Sequence, residues 1–172
     1  MSLKQTARTS PSATAQLIAN FMGSIQEVLA TMASITVKVG TPTLKTDPAP
    51  SYDVSGIIGF SGDFVGSMVL SFHQQTAAKI ILGFTGSEIA PDSPDFADAI
   101  GELANMIAGS AKKAFTGNTS ITVPSVIIGS GHVLARFHDM PCIIIPCESA
   151  AGAFAVEVSI KARQADPKPV KE

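Results

Sequence analysis

The sequence predicts an α+β domain in which long helices pack on an antiparallel sheet, built as two fused, pseudo-symmetric halves. Three observations lead there. Stretches with apolar residues at helical spacing alternate with short runs rich in Ile, Val and Phe. A turn signal, Ser61-Gly62, separates two of those runs. The second half of the chain also repeats the first: Ser34-Ile35-Thr36-Val37 recurs as Ser120-Ile121-Thr122-Val123, 86 positions on (34 to 120). The same offset carries Ile57-Ile58 onto Ile143-Ile144, Gly66 onto Gly152, Leu17 onto Leu103 and Gly23-Ser24 onto Gly109-Ser110.

Taken in order, residues 14–33 read as a helix with Leu17, Phe21, Ile25, Val28 and Leu29 on one stripe. Strands are expected at 35–39, 52–60 and 63–72, the last two joined as a hairpin. A shorter helix over 74–82 stops at Gly83, and 86–91 is a loop. Ser93-Pro94-Asp95 opens the second long helix, with an N-cap serine, proline at the first helical position and an acid at the positive end of the dipole. That helix is expected to run to Phe115 and to end at Gly117-Asn118, followed by strands at 121–128, 142–146 and 152–160. Residues 131–139 have room for one more short strand. The organisation is a single domain over 13–161, its repeats spanning 13–86 and 94–161, between flexible tails at 1–12 and 162–172.

Composition excludes several classes. The 172 residues are 45% hydrophobic and 15% charged, with a net charge of −2, and the basic residues are scattered, which argues against a nucleic-acid binder. No apolar run approaches the ~20 residues a membrane helix needs. Residues 1–12 lack the apolar stretch of a secretion signal, and two cysteines are too few for a disulfide scaffold, so a reduced, cytoplasmic protein is expected. His73, His132 and His138 lack metal-ligand spacing. Cys142 and Cys147 read as small core residues of one strand. Gly59, Gly62 and Gly66 fit no phosphate-loop pattern and read as hairpin and bulge glycines.

The second long helix divides cleanly at 100° per residue. Phe96, Ile100, Leu103, Ala104, Ile107, Ala111 and Phe115 gather on a sheet-facing side, and Asp98, Glu102, Asn105, Gly109 and Lys112 on the other. Glu102 and Asn105, three apart, are neighbours on that outer face. Gly101 and Gly109 flank them, and each costs about 1 kcal/mol relative to alanine in a helix interior, a poor choice unless a partner, or an adjoining helix end or loop, comes close.

The stretch Asp98-Ala-Ile-Gly-Glu102-Leu-Ala-Asn105-Met-Ile-Ala-Gly109 resembles the signature helix of the CheC/CheX/FliY phosphatases, and CheX in particular. Ser120-Ile-Thr-Val-Pro124-Ser-Val-Ile-Ile-Gly129 is similar to the same family, which also places a proline in the strand after that helix. The resemblance extends from Leu17 to Ile160. It implies hydrolysis of the aspartyl phosphate of a CheY-like receiver domain, with Glu102 and Asn105 catalytic and Asp98, Gly101, Met106, Gly109 and Lys112 contacting the partner. The protein would need no cofactor of its own, since Mg²⁺ would sit on the receiver. CheC relatives carry the Glu/Asn pair on both long helices. Here the offset takes Glu102 to Gln16 and Asn105 to Ala19, so one site per chain is implied, the CheX pattern, and with it a homodimer. The rival reading is a scaffold that docks a receiver or a flagellar-switch protein without hydrolysis, because fold alone does not decide function.

Overall fold

The computed structural model describes residues 11–134 and 140–163. Helix α1 (Pro11–Ala33) starts three residues earlier than expected, inside the segment assigned to the N-terminal tail. It buries Ile18, Phe21, Ile25, Val28 and Leu29. It ends in a six-residue capping loop: Ser34 takes a left-handed φ of 55°, and the Ile35 N–H reaches back to the Leu29 carbonyl at 3.0 Å. Strand β1 (Val37–Val39) follows, then an unforeseen two-residue strand β2 (Thr43–Leu44).

Strands β3 (Val54–Gly62) and β4 (Phe64–Phe72) form the expected hairpin, but β3 is two residues late and absorbs Ser61-Gly62, so the chain turns at Asp63 instead. Helix α2 (Gln74–Thr85) does not stop at Gly83. It runs on to Gly86, whose φ of 75° lets its N–H cap the Leu82 carbonyl at 2.8 Å. Gly83 serves packing instead: a Cβ there would lie 2.6 Å from the Ala33 carbonyl oxygen, at the crossing with the end of α1.

Helix α3 (Pro94–Lys112) starts as expected, with the Ser93 hydroxyl accepting the Asp95 N–H at 3.2 Å. It ends three residues short of Phe115, whose ring instead joins Phe21, Phe60 and Phe64. The single strand expected over 121–128 is two, β5 (Thr119–Ile121) and β6 (Ser125–Ile128). Pro124, which has no N–H for the ladder, lies in the break. Strands β7 (Ile143–Ser149) and β8 (Gly152–Ala162) close the sheet, β8 reaching the first residue assigned to the C-terminal tail. Of the possible strand at 131–139, residues 131–134 are not in a strand and 135–139 lie outside the described residues, as does His138.

The order β1-β7-β8-β4-β3-β5, with β2 on β7 and β6 on β3, reads as the same arrangement from either edge. The two halves are thus related by a pseudo-twofold axis between β4 and β8. The uniform offset of 86, however, does not hold. Gly40 N–H bonds the Pro146 carbonyl where Thr122 N–H bonds that of Gly59, which sets the offset at 82 for the first strands (40 to 122) and 87 for β3 and β7 (59 to 146), and the hairpin pairs then set it at 88 for β4 and β8 (67 to 155). The repeated Ser-Ile-Thr-Val stretches are therefore four residues out of structural register.

All three helices pack on one face, over Val54, Ile58, Met68, Leu70, Phe72, Ile145, Phe154, Val156 and Val158. The opposite face carries small and polar residues, Ser55, Ser71, Glu157 and Ser159, that are nonetheless buried. Their partners come from flanking segments: Lys45 Nζ lies 2.6 Å from Glu157 Oε1, Ser51 donates to the same oxygen at 2.7 Å, and Ser159 donates to the Pro141 carbonyl. Cys142, just before β7, is buried on this side and Cys147, within β7, among the helices, so the two are not on one face of a shared strand.

Candidate active site

Helix α3 sits low on the sheet because two glycines make room. A Cβ on Gly56 of β3 would lie 3.1 Å from Ala104 and 3.2 Å from Ile100. A Cβ on Gly101 would lie 3.2 Å from Pro124 and 3.4 Å from Val126. Gly101 is therefore buried, and the close approach expected there is made by the chain's own β5–β6 connection. Gly109 differs, since its nearest neighbour would be Ile121 Cδ1 at 4.0 Å, so internal packing leaves its missing side chain unexplained.

With the apolar side of α3 seated, Asp98 and Glu102 are exposed, and Asn105, Met106 and Lys112 are half-buried. Glu102 and Asn105 stand one turn apart on a ridge with an open depression on each side. One, of about 570 Å³, is lined by Asp98, Glu102, Val123, Pro124 and Val126. The other, of about 440 Å³, lies between α1 and α3 and is lined by Asn105, Met106, Gly109, Lys113, Glu27 and Met32. Neither Glu102 nor Asn105 hydrogen-bonds through its side chain to another described residue, so both are free to engage a partner. Lys112 lines neither depression. The contributions of Val123 and Met32 were not read from the sequence. Pro124 inside an apparent strand was the available signal for the first, and nothing local signalled the second.

On α1, Gln16 is exposed and bonds Asn20, and Ala19 is exposed. Applying the first-strand offset of 82 instead of 86 would set Asn20 and Gly23 opposite Glu102 and Asn105. In either register α1 lacks the pair.

Among the described residues, the remaining titratable groups do not form a second centre. Burial pushes the Cys147 thiol up to about 12, which keeps it protonated and non-nucleophilic. His132 bridges the Ser55 hydroxyl and the Gly129 carbonyl, and His73 stacks on Tyr52 beside Asp53. Among the described residues no group of three His, Cys, Asp or Glu side chains could hold a metal ion. No helix there is long and apolar enough to cross a membrane.

Residues 54–148 match the family described as chemotaxis phosphatase CheX. The chain belongs to the CheX family. It is 30% identical over 119 residues to the CheY-P phosphatase CheX of Thermotoga maritima, covering 67% of this chain and 77% of that protein. A crystal structure of a chemotaxis protein CheX from Desulfovibrio desulfuricans is 32% identical, with a TM-score of 0.77 over 86% of this chain and 99% of that one. The CheX–CheY–BeF3–Mg²⁺ complex from Borrelia burgdorferi shares the fold at 22% identity and a TM-score of 0.70, over 84% and 97% of the chains. The β3–β7 span covered by the family match contains the whole of α3 and its Glu/Asn ridge.

Proposed function

We propose that this CheX-family chain hydrolyses the aspartyl phosphate of a CheY-like receiver domain, using Glu102 and Asn105. The observation that carries the reading is their placement. Both stand on one ridge of α3, engaged with no other described side chain and with open space on each side. Support for the substrate comes from the relatives, one being a CheY-P phosphatase and another a complex with CheY.

Hydrolysis needs a water in line with the phosphorus and little covalent work from the protein. The receiver supplies the phosphoaspartate, a Mg²⁺ ion and a lysine. Asn105 has both a donor and an acceptor on its amide, so it can hold a water by two bonds and fix its direction of attack. Glu102, one turn earlier on the ridge, pairs with the receiver's lysine and sets the docking register. Neither residue acts as a general base. Asp98, Met106, Gly109 and Lys112 surround the pair as partner contacts, and Gly101 contributes by letting Pro124 close over the helix. The protein works in the cytoplasm as a homodimer, which a sedimentation or light-scattering mass near twice 17.7 kDa would support.

The reading is tested by phosphate release from stand-alone receivers phosphorylated with acetyl phosphate. Wild type should accelerate release from its cognate receiver. Glu102→Ala should weaken both binding and turnover, and an unchanged affinity for the phosphorylated receiver would remove its assigned role. No acceleration from any receiver of the source organism would leave a docking module in place of an enzyme.

A further inference from the structure

The depression beside Glu102 has a second wall that the catalytic pair does not explain. Val123 is 86% exposed, the most exposed large apolar side chain among the described residues. A single exposed valine is ordinary on a protein surface. Here, though, it is held out by a connection clamped on both sides. Thr122 makes two bonds to Gly59 of β3, its N–H donating to the Gly59 carbonyl and its hydroxyl accepting the Gly59 N–H, each at 2.9 Å. Gly59 must be glycine for this, because a Cβ would lie 2.9 Å from Thr122 Cγ2. On the other side Pro124 packs onto Gly101 of α3. Two glycines and a proline thus fix three residues so that the middle one points into solvent beside Glu102.

The other half of the chain supplies an internal comparison. Gly40 N–H bonds the Pro146 carbonyl as Thr122 N–H bonds that of Gly59, so Thr41 and Pro42 stand where Val123 and Pro124 stand. That half has no Glu/Asn pair. Its connection has no hydroxyl clamp, because residue 40 is glycine, and its outermost residue is polar. The clamped, apolar version occurs beside the pair and its polar counterpart where the pair is absent.

We propose that Val123 is a docking and specificity residue for the receiver that carries the substrate phosphate, an inference that rests on the function proposed above. Asp98 and Glu102 form the acidic wall of the depression, and Val123, Pro124 and Val126 form the apolar one. The receiver face that fits presents an apolar side chain next to a basic one. Val123 touches no reacting atom, so it contributes to binding the phosphorylated receiver and not to the chemical step. Pre-clamping limits the ordering cost of docking, which raises what the contact contributes to affinity.

The test measures KM and kcat for phosphate release from the cognate acetyl-phosphate-labelled receiver with wild type, Val123→Asp, Val123→Ile, Thr41→Asp and Asn105→Ala. Val123→Asp should raise KM about tenfold with kcat unchanged, the scale of one interface side chain. Val123→Ile should stay within about twofold of wild type, as expected where bulk and apolarity are kept, and Thr41→Asp should leave both constants unchanged. Far-ultraviolet circular dichroism and melting should be unaltered in Val123→Asp, since the side chain is in solvent. If wild type and Asn105→Ala behave as proposed while Val123→Asp keeps a wild-type KM, the docking role is wrong and the phosphatase reading stands. A fall in kcat at constant KM also overturns it, and a wild type that releases no phosphate overturns both readings.

Discussion

Two glycines on one helix should respond oppositely to the same substitution. Replacing a mid-helix glycine by alanine gains about 1 kcal/mol of helix propensity. At Gly109 nothing offsets that gain, because the new methyl meets only Ile121 Cδ1, at 4.0 Å. Gly109 lies in the last turn of α3, where the propensity gain is smaller than in the helix interior, so Gly109→Ala should stabilise the protein by up to about 1 kcal/mol. At Gly101 the methyl meets Pro124 Cγ and Cβ at 3.2 and 3.3 Å and Val126 Cγ2 at 3.4 Å. Pro124 lies two residues after Thr122, which is tied twice to Gly59, so it yields poorly. Overpacking of this kind costs about 1–3 kcal/mol. Gly101→Ala should thus come out between neutral and about 2 kcal/mol destabilising once the propensity gain is subtracted. Urea denaturation reads the difference: with a slope near 2 kcal/mol/M, 1 kcal/mol moves the midpoint by roughly 0.5 M. Phosphate release supplies the second reading, because a partner that comes close at Gly109 should make the stabler Gly109→Ala protein the slower enzyme. Equal midpoint shifts of the same sign would refute the packing argument. A fully active Gly109→Ala would refute the close approach.

The buried pair on the second face should be costly to break from one side. Lys45→Ala removes the Nζ contact to Glu157, which is 1% exposed, and should cost about 3 kcal/mol, visible in the same denaturation experiment; a loss below 1 kcal/mol would mean that Ser51 and the other partners suffice. Cys147, raised from 9.0 to about 12 by burial, should resist alkylation in the native protein at pH 8.5 and react on unfolding. The sign of its linkage follows. The unfolded thiol ionises above pH 9 and the folded one does not, so its contribution to stability is complete below pH 9 and is lost as pH rises toward 12.

The parts of this molecule legible in its sequence are those where a local rule and the tertiary structure agree. The Ser93-Pro94-Asp95 start, the two faces of α3 and the existence of the β3–β4 hairpin each follow from spacing and turn chemistry, although the turn falls at Asp63 and not at Ser61-Gly62. The Glu102/Asn105 ridge was legible for the same reason, since a helical period places both residues once the apolar side is known. The failures lie where a residue answers to something distant in sequence. Gly83 resembles a helix stop but makes room for the end of α1, while Gly86 does the capping. Pro124 breaks a strand that reads as continuous. The repeat was visible but slipped by one helical turn in the first strands, because Ile- and Val-rich segments match nearly as well four residues out of register. The second sheet face gave no local signal of its burial, which depends on Lys45 and Ser51 reaching Glu157 from a segment more than 100 residues away.

In the function proposed above, Asn105 holds the attacking water on a receiver's phosphoaspartate. That role is tested most directly by single-turnover phosphate release from the cognate phosphorylated receiver at saturating enzyme, with wild type and Asn105→Ala side by side. Asn105→Ala should bind the phosphorylated receiver with near wild-type affinity and release phosphate no faster than the receiver does alone. Release by Asn105→Ala at the wild-type rate would contradict that role.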